Sequence, residues 1–387
     1  MTIRLQDSFS FRKLILFTLP SIGMMLFMSV YGVVDGLFIS HYVGKTAFAA
    51  VNLVMPFTQI LSGVGAMLGV GGSALVAKTL GEGEEKRAGQ YFTMMMMLLF
   101  IVGLSFTALG MAVIRPVCLF MGATENMIED CVLYGRTVLA FSLFMHMQYQ
   151  FQSYLIVAEK PALGFLITLL SGAANMVLDV LCVGVWRWGV RGAAFATGVS
   201  QCIGGGVPLI WFISKKNRSA LRFTKTRLEW KPVLKACGNG ASEMLSSVSG
   251  SVTGMLYNIR IIGYAGEDGV AAYGAVMYAS FVFISVLMGY STGVSPVIGY
   301  HFGAGNHREL HRLLQKSLLL VTVGGCGIAL FGYLLAEPIS FLFAGYDQSL
   351  MHLTAHIMKI SILGMAIMGV GMFTSSFFTA LNDGKVS

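Results

Sequence analysis

Two aspartates stand where a charge is hardest to keep. Asp35 lies within VYGVVDGLF and Asp179 within NMVLDVL, each inside an apolar run long enough to cross a bilayer. An ionisable group at that depth is costly and is a functional candidate by default. Asn175 precedes Asp179 by one helical turn and shares its face. Thr197 follows in the next apolar segment, within GAAFATGVS. Two carboxylates, an amide and a hydroxyl are oxygen ligands of the kind Na⁺ takes. Two carboxylates side by side could instead share a proton, because like charges at close range disfavour joint ionisation. A third reading gives them only hydrogen bonds between helices. The sequence does not say whether the two aspartates meet.

The elements that carry them follow from composition. The 387 residues are 56% hydrophobic and only 11% charged, with a mean hydropathy of +0.74. A soluble chain of this length carries about a quarter charged residues, so lipid must be the solvent for most of this one. Ten segments are long and apolar enough to span: 14–41, 47–78, 91–114, 131–157, 161–184, 192–214, 234–263, 269–300, 316–336 and 350–380. They are apolar nearly all round and lack strand alternation, so the expectation is an all-α membrane protein. With the N-terminus cytoplasmic, all but seven of the 26 Lys and Arg residues fall on the cytoplasmic side. The net charge of +8 is therefore a topological signal rather than a nucleic-acid surface. The first segment is too long for a leader's apolar core and is followed by no small-residue cleavage site, so no cleavable leader is expected. Six cysteines lie singly, which argues against a disulfide frame or a zinc site. No nucleotide loop, nucleophile–base pair or metal cluster is present, so an enzyme is not expected and no cofactor is implied.

A shift of 222 positions lays residues 44–83 over 266–305 without a gap. Identities include Gly44/Gly266, Ala49/Ala271, Ala50/Ala272, Met55/Met277, Gly81/Gly303 and Gly83/Gly305. The register extends to Ser29/Ser251, Gly32/Gly254, Pro116/Pro338 and Ala158/Ala380. Two parallel copies are expected: a six-helix lobe over 1–214, a basic linker over 215–230, and a four-helix lobe over 231–387. On that arithmetic the last two helices of a second six-helix copy, about fifty residues, are missing and the chain ends early.

LP at 19–20, VYGVVDGLFIS, AAVNLVMP, TLGEG, NMVLDVL followed by GVRGAAFATGVSQ, and HFGAGN together resemble the pattern of multidrug and toxic compound extrusion (MATE) exporters. The likeness covers about residues 10–385 and is closest to the DinF-like branch. It implies a twelve-helix fold and a first-lobe cation site made of Asp35, Asn175, Asp179 and Thr197, with Pro20 as the hinge of the first helix. It implies H⁺- or Na⁺-driven export of amphipathic, often cationic, small molecules by a monomer in a bacterial or archaeal plasma membrane. A helix-seven acid serves a second-lobe site in some members; Glu243 lies earlier than that motif, so the role is not carried over. Flippases of lipid-linked saccharides share the two-lobed plan, and a non-transporting fragment is a further alternative.

Weaker signals complete the reading. Gln148 and Gln152 share a helix face and could line the substrate cavity with Met28; Met24 and Met25 lie nearby, although packing explains most methionines. GVGAMLGVGG at 63–72 lies inside an apolar segment and reads as close helix packing rather than a phosphate loop. His352 and His356 are four apart without an acidic partner. Glu159 and Lys160 read as loop charges.

Overall fold

The computed structural model describes residues 3–43, 45–215, 217–345 and 347–387. Outside the described side chains lie those of 36, 37, 39–41, 45–49, 255, 258, 259, 262, 265–268, 270, 271, 343 and 344. Gly44 and Lys216 therefore lie outside the described residues, and Lys45, Ala49, Gly266 and Ala271 lie among those described by backbone alone.

The described residues form thirteen helical elements. The first copy contains α1 (Phe11–Tyr42), α2 (Lys45–Gly81), α3 (Glu85–Phe120), α4 (Ile128–Ala140), α5 (Ser142–Val157), α6 (Pro161–Asp179), a π-helical turn (Val180–Val185) and α7 (Gly189–Ile213). The second contains α8 (Trp230–Gly303), α9 (His307–Leu334), α10 (Ala336–Ala344), α11 (Gln348–Leu363) and α12 (Met365–Ala380). Among the described residues, seven helices are long and apolar enough to cross a membrane, or eight if α11 and α12, bent by 45° at their junction, are one span.

The expectation of six plus four spanning helices is not supported, for identifiable reasons. Segment 131–157 is two helices, broken at Phe141, and 350–380 is broken at Gly364. The two expected spans at 234–263 and 269–300 are one helix, α8, of 74 residues. A straight helix of that length would be about 110 Å long. Instead Tyr257 and Tyr273, sixteen residues apart, stack with ring centroids 5.5 Å apart. The helix therefore folds back into two antiparallel arms.

The contacts between copies repeat the 222-residue register. Gly81 at the end of α2 faces the carbonyl of Tyr300, and its mate Gly303 faces the carbonyl of Lys78, which is the mate of Tyr300. A Cβ at either glycine would overlap a backbone carbonyl. Gly71 meets Ala236 and Gly240 on the first arm of α8, while its mate Gly293 meets Thr18 and Ser21 on α1. Gly83 and Gly305 both take positive φ, +81° and +67°, which ends α2 and α8 in the same left-handed turn. The helix break recurs too, since Phe141 plus 222 falls on Leu363, beside Gly364. GVGAMLGVGG sits within α2, where Gly63, Gly65, Gly69 and Gly72 bring it against Ser247, His146, Gln150 and Tyr154. It is a packing surface.

One link at the linker-side end joins the copies through the N-terminal segment. Leu5 N–H donates to the Glu159 carboxylate at 2.7 Å, and Phe9 N–H donates to Glu309 at 2.8 Å. Lys316 donates to the Phe9 carbonyl, and His301 Nε2 lies 3.2 Å from the Asp7 carbonyl. Leu5 and Phe9 are buried with residues of α8, α9 and α12. Glu159 is thus no ordinary loop charge: it ties the α5–α6 loop to a strap whose other end is held by α9.

Candidate functional site

Asp35 occupies the far half of α1, fifteen residues beyond Pro20, through which the helix continues. Asp179 is the last residue of α6 and Asn175 stands one turn before it, both 1% exposed. Close approach of the two helices is set by small residues. Gly172 lies against Phe27 and Tyr31 of α1, and Gly23 lies 3.0 Å from the Phe165 ring, both measured at the position of a Cβ. Bulk at either position would wedge α1 off α6. With it absent, the carboxyls of Asp35 and Asp179 come within hydrogen-bonding reach of each other. The structure thus supplies the proximity that the sequence could not.

As carboxylates the pair has no proton to exchange, and the donor accounting is correspondingly empty. Asp35 Oδ1, both oxygens of Asp179 and the Asn175 amide nitrogen are buried without a hydrogen-bond partner. Buried polar atoms in native proteins are ordinarily satisfied, and an unpaired buried charge is among the most expensive arrangements available. One proton between the two carboxyls would complete a hydrogen bond. A bound monovalent cation would satisfy the oxygens directly.

The π-helical turn begins immediately after Asp179. Such turns insert a residue into the helical ladder and concentrate at functional sites. It leads to Arg187 and Gly189, both at positive φ, and so into α7. Ser171 of α6 donates to the Ser200 carbonyl at 2.6 Å, and Ser200 Oγ donates to the Thr197 carbonyl at 2.7 Å. These bonds lock α7 to α6 one turn from Thr197, whose side chain is partly buried. Three members of the expected set therefore converge, with Thr197 on the neighbouring helix.

Three tyrosines were not singled out from sequence. Tyr31, one turn before Asp35, and Tyr134 of α4 both lie close enough to Asp35 to feel its charge. Tyr134 is also influenced by Asp179. Tyr278 reaches Asp35 from the second arm of α8, in the other copy. The i, i+4 spacing of Tyr31 and Asp35 was a readable signal; the other two depend on tertiary packing. The expected cavity residues divide. Gln152 donates to Met28 Sδ at 3.1 Å, whereas Gln148 packs against Gly204 of α7 with its amide nitrogen unpartnered. Met24 is fully buried. His352 and His356 are exposed on α11, and no group of three metal-ligating side chains occurs among the described residues.

Residues 20–181 and 244–387 match the MatE family. Multidrug export protein MepA of Staphylococcus haemolyticus is 22% identical over 98% of this chain and 83% of its own length. A FAD transporter of Shewanella oneidensis is 26% identical over 96% of this chain and 82% of its own. The structure also superposes on an outward-facing multidrug resistance MATE family transporter of the MOP superfamily, with a TM-score of 0.91 at 23% identity over 98% of this chain and 84% of that one. These matches, each over 82–84% of the relative's own length, do not establish the early end expected from the repeat.

Proposed function

The chain belongs to the MatE family, and from that premise we propose that it is a cation-coupled antiporter exporting amphipathic, cationic compounds by alternating access. One observation carries this reading: two carboxyls from different helices, Asp179 buried and Asp35 half-buried, meet with no donor between them. The site is complete only with a proton or Na⁺ bound, so its occupancy is tied to an ion gradient. With the ion absent, two unpaired carboxylates favour water and a cationic substrate nearby. Uptake of the ion removes that charge and lets α1 repack against α6. Pro20, which leaves the carbonyl four residues earlier without its helical donor, is the proposed pivot. Asn175 and Thr197 supply the neutral ligands. This residue set is also the basis for placing the chain near the DinF-like branch.

Orientation with the N-terminus cytoplasmic rests on the distribution of Lys and Arg, and the proposed working unit is a monomer in the bacterial plasma membrane. The relative named as a FAD transporter points to a second reading, an anionic dinucleotide as substrate. The carboxyls and phenols around Asp35 favour cations over such a substrate.

Ethidium efflux from cells expressing the chain and its Asp35→Asn variant tests the scheme. Efflux should fall to the level of empty cells in the variant, with membrane insertion unchanged. Undiminished efflux by Asp35→Asn would sink it. Replacing Na⁺ by choline at fixed pH, and shifting pH at fixed Na⁺, separates the two candidate ions.

A further inference from the structure

A second carboxylate without a partner lies away from the Asp35 pair, at the junction between the copies. Glu243, on the first arm of α8, lines a cavity of about 40 Å³ together with Val70, Ser73, Ser153, Thr292, Ser295 and Ser376. Among the described residues no Lys, Arg or His forms an ion pair with it, and no side-chain hydrogen bond reaches it. A space of that size takes one small ion or one water molecule. Besides the apolar Val70 and Pro296, the rest of the wall is made of five hydroxyls. Two of them already spend their protons on backbone: Ser73 Oγ donates to the Val70 carbonyl at 3.0 Å and Ser376 Oγ to the Ser291 carbonyl at 3.2 Å. Their oxygen lone pairs are what remain for the cavity. One anionic oxygen ligand with several neutral ones is the donor chemistry of a hard monovalent cation.

The lining is drawn from both copies. Val70, Ser73 and Ser153 belong to the first, and Glu243, Thr292, Ser295 and Ser376 to the second. Ser73 and Ser295 are repeat mates, as are Val70 and Thr292, so the cavity lies near the pseudo-twofold relation between the copies. The glycine contacts that close this junction, Gly71 on Gly240 and Gly81 on Tyr300, flank it along α2.

We propose that Glu243 and the hydroxyls of this cavity bind Na⁺, forming a cation site between the lobes that is separate from Asp35 and exists only while the lobes are closed on the linker side. Rocking the lobes apart would take Ser73 and Ser153 away from Glu243 and release the ion. The site therefore reports lobe closure, and its occupancy favours the closed arrangement.

The test is thermal unfolding of the purified full chain, with NaCl replacing choline chloride at constant ionic strength. Four forms are compared: the chain as given, Asp35→Asn, Glu243→Gln and Ser295→Ala. Saturating Na⁺ should raise Tm by about 3 °C in the chain and in Asp35→Asn, and leave Glu243→Gln unmoved. Ser295→Ala should need several-fold more Na⁺ for half the effect, and it carries the test if Glu243→Gln does not fold. Loss of the Na⁺ response in Asp35→Asn with retention in Glu243→Gln would overturn the proposal by assigning all binding to the first-lobe site. Stabilisation by acid but not by Na⁺, abolished in Glu243→Gln, would also overturn it, leaving a protonated acid. No response of any form to Na⁺ would do the same. Because the measurement needs no transport, its failure leaves the efflux mechanism standing, and the reverse holds as well.

Discussion

The two copies share a scaffold and differ in chemistry. Gly81 and Gly303, Gly83 and Gly305, and the breaks at Phe141 and Gly364 recur at one register. The functional residues do not. The mate of Asp35 is Tyr257, an exposed ring stacked on Tyr273. The mate of Glu243 is Ser21, buried with its hydroxyl unpartnered. Physical constraint explains the split. Where backbone meets backbone across the junction, no side chain fits in either copy. Away from it each lobe is free to diverge, and a charge kept in only one lobe makes the two halves answer an ion differently. A rocking machine can be symmetric in its bearings while its drive sits on one side.

The largest expected effect breaks the comparison at Asp35 and Tyr257. Asp35→Asn should reduce ethidium efflux to background, whereas Tyr257→Phe should leave it within about twofold, since an exposed phenol away from α6 holds nothing the cycle needs. Equal losses in the two variants would mean that the second copy carries chemistry at this position too.

Next in size are the bearings. Gly81→Leu and Gly303→Leu each force a side chain into a backbone carbonyl of the other copy. Overpacking of this kind costs about 1–3 kcal/mol. If the junction is symmetric, the two variants should lose similar amounts in detergent thermal melts. Loss from Gly81→Leu alone would show that the contacts around Lys78 yield while those around Tyr300 do not.

Sequence reading reached the two-lobed scaffold because close packing and left-handed turns leave the same residue type at each mate. It reached Asp35, Asn175 and Asp179 because apolar surroundings make a polar residue conspicuous. It did not reach their meeting, which depends on Gly172 and Gly23 admitting Phe27, Tyr31 and Phe165 into the α1–α6 seam; a glycine in a membrane helix is too common to announce that role. The breaks at Phe141 and Gly364 were hidden for a related reason. Hydropathy continues unchanged across both, so 131–157 and 350–380 each read as one span. Glu159 was misread because its partner is a backbone N–H, and a backbone partner leaves no mark on the sequence.

A smaller effect is expected at the strap, where the copies differ in how they hold one segment. Glu159 binds Leu5 N–H from the first copy, and Glu309 binds Phe9 N–H from the second. A hydrogen bond to a charged group is worth about 1.5–3 kcal/mol. Glu309 is the more buried partner, so Glu309→Gln should open the linker-side face more than Glu159→Gln does. Labelling of a Val70→Cys reporter by a water-soluble maleimide, in a chain whose native cysteines are replaced, reads that opening. A greater response from Glu159→Gln would invert the ranking and place the strap's main anchor on the first lobe.

The smallest effect concerns a charge reversal across the repeat. Arg115 pairs with Glu129 at 2.9 Å, linking the end of α3 to α4. Its mate is Glu337, which pairs with Lys359 of α11 at 2.7 Å. The mechanical role is the same and the polarity is opposite, as expected if the link matters only as an ion pair and not as a source of field at the site. Arg115 and Glu129 are 52% and 73% exposed, and pairs this open contribute little because water and salt screen them. Reversing the first pair as Arg115→Glu with Glu129→Arg should leave Tm within about 1 °C and efflux unchanged, while Arg115→Glu alone should lower Tm slightly and lose that effect in high salt. A loss of efflux in the reversed pair, with Tm unmoved, would show that the sign of the charge at this end of the first lobe bears on transport, and that the asymmetry between the copies extends beyond the ion sites to their outer surfaces.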